Sequence, residues 1–378
     1  MTTPRFPLRA ALLGAALVLT PGAAAAQLPC GSVVTTDTVM IADLLCTSHD
    51  PALTVVGPAT LDMDGHRVFG VNAGTGIALD GKGATLKNGA VRDFANGVRL
   101  GGGGKHKVQN VAASSNVANG FVIDSGNNRI VDSVARGNLM HGFLVFALVA
   151  PGGENLTVVA NTITGSSAVN NKLRGFALSG AKGVYADNVA TSNFDGGFQV
   201  GGTANVLSEN VSSMNGGPGF EVTGTDGQLL DNLSAGDAGT AFQMPAQAGK
   251  KAKLLRNLAI DAHAGIAGGT DLRDNVVIST NGRGIDVAAP GHKLTGNTVV
   301  SAGEIGIFSH GGDSLVTKNR VFFTDEGTGL MIGVSPQVQI SGNLALGSPI
   351  DVLDLDGTCD DHAWSDNVFT SSAQACVQ

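Results

Sequence analysis

A histidine, an arginine and two carboxylates take related places in successive segments of this chain. His141 and Arg174 each stand directly before a Gly-Phe pair, Gly142-Phe143 and Gly175-Phe176. Asp195 stands two residues before Gly197-Phe198, and Glu221 follows Gly219-Phe220. Such a set suits a uronic-acid sugar: the arginine holds a carboxylate by charge-assisted bonds, and the histidine or a carboxylate moves a proton. His141, Arg174, Asp195 and Glu221 are therefore the candidate catalytic residues. Lys172, Gln199 and Gln243 are the candidate substrate contacts. Taken singly, each also reads as an ordinary solvated turn or surface residue.

These residues are placed by a repeat. The series Asn88, Asn110, Asp132, Asn161, Asn188, Asn210, Asn232 continues through Asn257, Asn275, Asn297, Asn319, Asn343 and Asn367, and its commonest interval is 22 residues. About nine residues beyond each member comes a glycine with apolar residues at alternate positions, as in Gly197-Phe198-Gln199-Val200. Period-two segments broken by Gly and Asn read as short strands. Alternation turns Phe198 and Val200 inward and Gln199, Glu221 and Gln243 outward. A unit this short cannot bury its own apolar face, but stacked units share one core. The expectation is an all-β solenoid of about 12–13 coils, on the order of 60 Å long at the usual strand spacing. The repeated Asn tolerates a left-handed turn and can stack its amides into a ladder, and the glycine fits a tight corner.

Departures from the period point to function. The two longest intervals, 29 and 27 residues, are adjacent and flank Asn161. Their extra length falls around Ala147–Asn155 and Ser166–Arg174, where two loops would wall a groove beside His141 and Arg174. A second, lower-ranked cluster is His263, Arg283, Asp286 and His310. The acidic end (Asp351, Asp354, Asp356, Asp360, Asp361) is dense enough for calcium, but its spacing fits no calcium loop and a capping turn is the stronger expectation. No other cofactor or metal is indicated. His49 and His66 read as turn residues.

Composition sets the bounds. Arg5 and Arg9, the apolar run Ala10–Leu19 and Ala24-Ala25-Ala26 have the layout of a cleaved secretory leader over 1–26. An N-terminal cap over 27–60, repeats over 61–350 and a closing coil over 351–378 then make a single domain, secreted or periplasmic. Beyond the leader, no apolar stretch is long enough to span a bilayer. Three pairings of Cys30, Cys46, Cys359 and Cys376 are open. Near-neighbour pairing is the simplest, each bridge closing a loop worth about 3 kcal/mol. The net charge of −8, without a basic run, excludes nucleic acid as a partner. One Trp and one Tyr are few for a sugar-stacking cleft. Seven Met and eight His without clusters give little support to a copper role. Oligomeric state is not legible.

The coil grammar from Thr54 to Phe369 resembles the right-handed parallel β-helix repeat family, the pectate-lyase-like superfold. The opening Leu61-Asp62-Met63-Asp64-Gly65-His66 and the closing Trp364 to Cys376 look like its first and last coils. The resemblance implies right-handed winding and an extracellular polysaccharide as partner. It carries over no catalytic residue. Asn161-Thr162 is followed by Ile163, Asp360-Asp361 lies in the cap, and there is no Gly-His-Gly, Arg-Ile-Lys, Asp-Pro-His-Asp or Trp-Ile-Asp-His run. Two functions follow as expectations: a lyase, epimerase or hydrolase acting on an acidic polysaccharide, or a non-catalytic carbohydrate-binding or scaffolding β-helix.

Overall fold

The computed structural model describes residues 24–146, 158–244 and 251–377. They form a right-handed parallel β-helix, with no helix among them. Fifteen strands, from Ser32–Val34 to Ile350–Asp354, stack into one continuous face. A second sheet of 29 strands supplies the two flanks. The coils thus number about fifteen, more than the 12–13 expected. Segments before the first Asn signal already stack, Ser32–Val34 on Leu53–Val56 and Leu53–Val56 on Thr75–Asp80. Of the expected leader only Ala24–Ala26 lies within the described residues, paired with Thr38–Met40.

The core is built from aligned columns. Phe121, Phe143, Phe176, Phe198, Phe220 and Phe242 point inward from consecutive strands of the fifteen-strand face, fully buried, with neighbouring ring centroids 4.7 to 5.0 Å apart. That distance is the strand spacing itself, so parallel in-register pairing imposes the stack. The glycine before each Phe is required by close approach of the next coil. A Cβ at Gly120 would lie 2.7 Å from the Gly142 carbonyl oxygen and 2.9 Å from the Ala135 Cβ. Gly120→Ala is therefore expected to cost roughly 1–3 kcal/mol, read by urea denaturation, because the coils must separate to admit the methyl group.

The polar corners correct the repeat as read from sequence. The ladder runs from Asn188 through Asn210, Asn232, Asn257, Asn275, Asn297, Asn319 and Asn343 to Asn367, each Asn side-chain oxygen accepting from the Asn one coil earlier. Ser166 and Ser133 continue it toward the N-terminus. Asn161 belongs to another corner, where it accepts from the Asn128 N–H. Asn88, Asn110 and Asp132 sit one position ahead of the ladder in the left-handed conformation, the place held by Asp187, Glu209 and Asp231 in later coils. In true register Ser133 to Ser166 spans 33 residues and Ser166 to Asn188 spans 22. There is one long coil, and the second loop, expected at Ser166–Arg174, does not exist. That stretch holds the strand Ser167–Val169 and the start of Arg174–Ala181. The loop expected at Ala147–Asn155 lies outside the described residues.

Disulfides join Cys30 to Cys46 and Cys359 to Cys376, one near each end, in the near-neighbour pairing. In the closing coil Asp351 accepts from the Ser348, Thr370 and Ser371 N–H groups and the Thr370 hydroxyl. Asp354 accepts from His362 Nδ1 at 2.8 Å and Trp364 Nε1 at 2.9 Å. His362 also donates Nε2–H to the Ser335 carbonyl at 2.7 Å, so both ring nitrogens carry protons. Burial opposes that charge, but the bonds to Asp354 and Ser335 outweigh it and raise the His362 pKa above the usual histidine value. A histidine with a raised folded pKa stabilises fully below its unfolded value of about 6.5 and loses that contribution as pH rises through the folded value. Thermal melts from pH 6 to 9 should show the wild type losing stability relative to His362→Gln. Parallel curves would dismiss the ion pair.

Candidate functional site

The outward residues of the fifteen-strand face form a single column. Its middle stretch reads Val122, Leu144, Ala177, Gln199, Glu221, Gln243, Ala267, each in register with the next. The three outward expectations Gln199, Glu221 and Gln243 are thus consecutive. Arg174 begins its strand three residues before Ala177, in register with Gly196.

Arg174 crosses two coils. Its Nε donates to Asp195 Oδ2 at 2.9 Å, and its Nη1 donates to Glu221 Oε2. His141 lies one coil on the other side, its Nδ1 accepting from the Arg174 backbone N–H at 3.4 Å. All four candidate catalytic residues therefore meet. Burial works against the Arg174 charge, but the bonds to Glu221 and Asp195 prevail and hold it charged above the ordinary range. Burial first, and the nearby Arg174 second, push His141 below the usual histidine pKa. His141 is neutral at pH 7, with Nδ1 occupied as an acceptor and Nε2 carrying the proton.

Arg174, expected to hold a substrate carboxylate, is here bonded to two carboxylates of the chain itself. It braces Asp195 and Glu221, binding one oxygen of each. Asp195, about half exposed, presents its other oxygen at the surface. Calcium does not fit here, because the carboxylates that would ligate it face a guanidinium. Lys172 is exposed on the corner before Arg174, its backbone N–H bonded to the Asn138 carbonyl.

Phe194, immediately before Asp195 and 74% exposed, escaped the sequence reading, as did Leu139 and Met140 beside His141. Together they edge the charged strip with apolar surface. Counting Trp and Tyr was misleading. Tyr185 is buried in the core and Trp364 is bonded to Asp354; the most exposed aromatic ring among the described residues is that of Phe194.

The second candidate cluster also assembles, about three coils further along the same face. Asp286 accepts from Arg283 Nη1 at 2.6 Å and His310 Nε2 at 2.9 Å. The Phe308 ring stacks on His310 with centroids 4.3 Å apart and lies 5.1 Å from the Arg283 guanidinium carbon. His263 stays outside this set, exposed on the adjoining corner. A third pair, Arg99 with Asp124, lies toward the N-terminus. Among the described residues Asp124 Oδ1 is the buried side-chain polar atom left without a partner. On a flank, a cleft of about 420 Å³ is lined by Lys251, Lys253 and Lys293 with Asp271.

Stacked coils, in-register columns and parallel pairing throughout define the class: a right-handed parallel β-helix. The family model for the right handed beta helix region matches residues 47–184. No curated protein matches the chain. Solved structures similar to it include the pectate lyase Pel9A, at 15% identity over 71% of this chain and 72% of that one, TM-score 0.40. Another is a mannuronic acid specific family 6 polysaccharide lyase from human gut microbiota, at 12% identity over 89% of this chain and 88% of that one, TM-score 0.38. A third is the A-module of the Azotobacter vinelandii mannuronan C-5 epimerase AlgE6, at 13% identity over 91% of this chain and 87% of that one, TM-score 0.30. At these identities the likeness is one of fold. Both disulfides suit an oxidising compartment. Among the described residues no helix is long and apolar enough to cross a membrane.

Proposed function

We propose that this chain is an extracytoplasmic enzyme that cleaves a polysaccharide by acid–base hydrolysis at the His141–Arg174–Asp195–Glu221 strip. The observation that carries the reading is the pair of carboxylates braced by one guanidinium, Arg174 to Asp195 and Glu221. Hydrolysis of a glycosidic bond needs one group to protonate the leaving oxygen and another to activate water; in this reading Asp195 takes the proton from water and Glu221, in its protonated form, gives one to the leaving oxygen. The neutral His141 offers its Nε2–H to a sugar oxygen. Elimination from a uronate is less well served, since it needs a free cation beside the substrate carboxylate and Arg174 is committed to Asp195 and Glu221. The polymer lies along the outward column of the fifteen-strand face, with Phe194 at its edge and Lys172 available to acidic groups.

The test is a screen of acidic and neutral glycans with the purified chain, following reducing ends and absorbance near 235 nm. Reducing ends without new absorbance are expected, and EDTA is expected to leave the rate unchanged because no step passes through calcium. New absorbance would replace hydrolysis by elimination. The second reading, a non-catalytic glycan-binding or scaffolding rod, is favoured by the same saturation of Arg174, which ties three coils together without needing a substrate. Binding without turnover on every glycan would establish that reading.

A further inference from the structure

Over one nine-coil stretch, one of the three long faces carries fewer charged outward residues than the other two. On one flank, nine consecutive strands from Ser167–Val169 to Leu344–Leu346 pair in register; the flank continues into Val134–Arg136 before them, where Arg136 faces outward, and into Val368–Phe369 after them. The middle residue of each triplet is buried, and the two outer ones face outward, partly exposed. The outward residues form two columns. One carries Leu233, Leu258 and Val276 in succession. The other carries Ile260, Ile278 and Val300. Across all nine coils these two columns hold no acidic residue and one basic one, Arg320. The opposite flank carries Lys253, Asp271, Lys293 and Arg273 at its equivalent outward positions. Those four charges lie in three coils; elsewhere the opposite flank is neutral or apolar outward, as at Val184, Val206 and Leu315.

The geometry points to this face as the interface with a second copy of the chain, packed antiparallel about a two-fold axis near Leu258 and Ile260. Nine coils at the usual strand spacing make a strip roughly 38 Å long. Two side-chain columns make it on the order of 14 Å wide, so two copies bury roughly 1,000 Å² in all, the lower bound of a specific interface. A flat face suits isologous pairing, in which the same surface is used twice. Arg320 selects the direction. In a parallel pair the two Arg320 side chains would confront each other. In the antiparallel pair, centred on Leu258, each meets the Val189–Thr191 strand of the other copy, and the like charges stand about six coils, roughly 29 Å, apart.

Sedimentation and light scattering across the micromolar range test this. A dimer is expected for the wild type, and a monomer for the double variant Ile260→Lys/Ile278→Lys, with at least a tenfold loss of association. The substituted side chains point outward, and an unchanged circular-dichroism melt checks that the coils are intact. All four native cysteines are in disulfides, so Leu258→Cys adds one thiol at the axis, and oxidation should yield a covalent dimer. A wild-type monomer at every concentration would overturn the proposal, as would a dimer indifferent to the lysines. So would a monomer whose face binds neutral lipid vesicles, because the occupant would then be lipid.

Discussion

Asp195→Asn is expected to lower the rate of polysaccharide cleavage by roughly 100- to 10,000-fold while leaving the melting temperature nearly unchanged. The magnitude is that of a positioned acid–base group. The substitution is suited to the question because Asn keeps the shape and an oxygen that can accept from Arg174 Nε, now 2.9 Å from the carboxylate. It removes the second basic oxygen. If Asp195 only braces Arg174, the variant loses little activity and some stability. If it moves a proton, it loses activity and little stability. His141→Gln separates the remaining roles. Its ring is neutral at pH 7, so loss of its Nε2–H should weaken substrate binding more than it alters the pH profile. A His141 variant that shifts the profile would make the imidazole the proton carrier.

The second large effect concerns the scaffold. Asn210→Ala should cost about 3–6 kcal/mol, measured by urea denaturation. Asn210 is buried; it accepts from both the backbone N–H and the Nδ2 of Asn188, each at 3.0 Å, and donates Nδ2–H to the Tyr185 carbonyl and to Asn232. Alanine leaves two donors of Asn188 and the Tyr185 carbonyl, all on the preceding coil, buried without that partner, at roughly 1–3 kcal/mol apiece. The control is Asn110→Gly. Asn110 is exposed and has a φ of 53°, so glycine preserves the turn, and the change should stay within about 0.5 kcal/mol. A cost below about 1 kcal/mol at Asn210 would mean that water replaces the ladder, and the corner would not be the dry structure described above.

The contrast between Asn110 and Asn210 shows what a linear reading misses. Both stand in the same phase of a 22-residue repeat, and sequence spacing alone assigns them the same role. They differ by one position in the coil, which is the difference between a left-handed turn and a buried ladder. The same one-residue offset, together with the assignment of Asn161 to the wrong corner, divided one 33-residue coil into two long intervals and produced a loop at Ser166–Arg174 that is absent. Asn serves several corners of each coil, and only hydrogen-bond register tells them apart.

For the candidate site the balance is different. The Gly-Phe segments fixed the phase of the strands reliably, because a phenylalanine column one strand apart fills the core and admits no slip. That phase sufficed to place Gln199, Glu221 and Gln243 outward and to bring His141, Arg174, Asp195 and Glu221 onto one face. It could not say where the Arg174 side chain ends. Its guanidinium reaches carboxylates in the next two coils, a pairing that linear spacing does not show.

The sequence by itself determined the solenoid, the inward columns and the face on which the polar residues gather, and it made near-neighbour disulfides the simplest of three open pairings. These follow from periodicity, and periodicity is a property of a linear string. The tertiary structure alone decided which asparagines form the ladder, which carboxylates neutralise Arg174, that Phe194 is exposed beside Asp195, and that one flank carries few outward charges along nine coils. Most of these are relations between residues one or two coils apart in the chain that stacking brings into contact. They depend on the register of stacking, in which a shift of one residue turns a buried side chain outward.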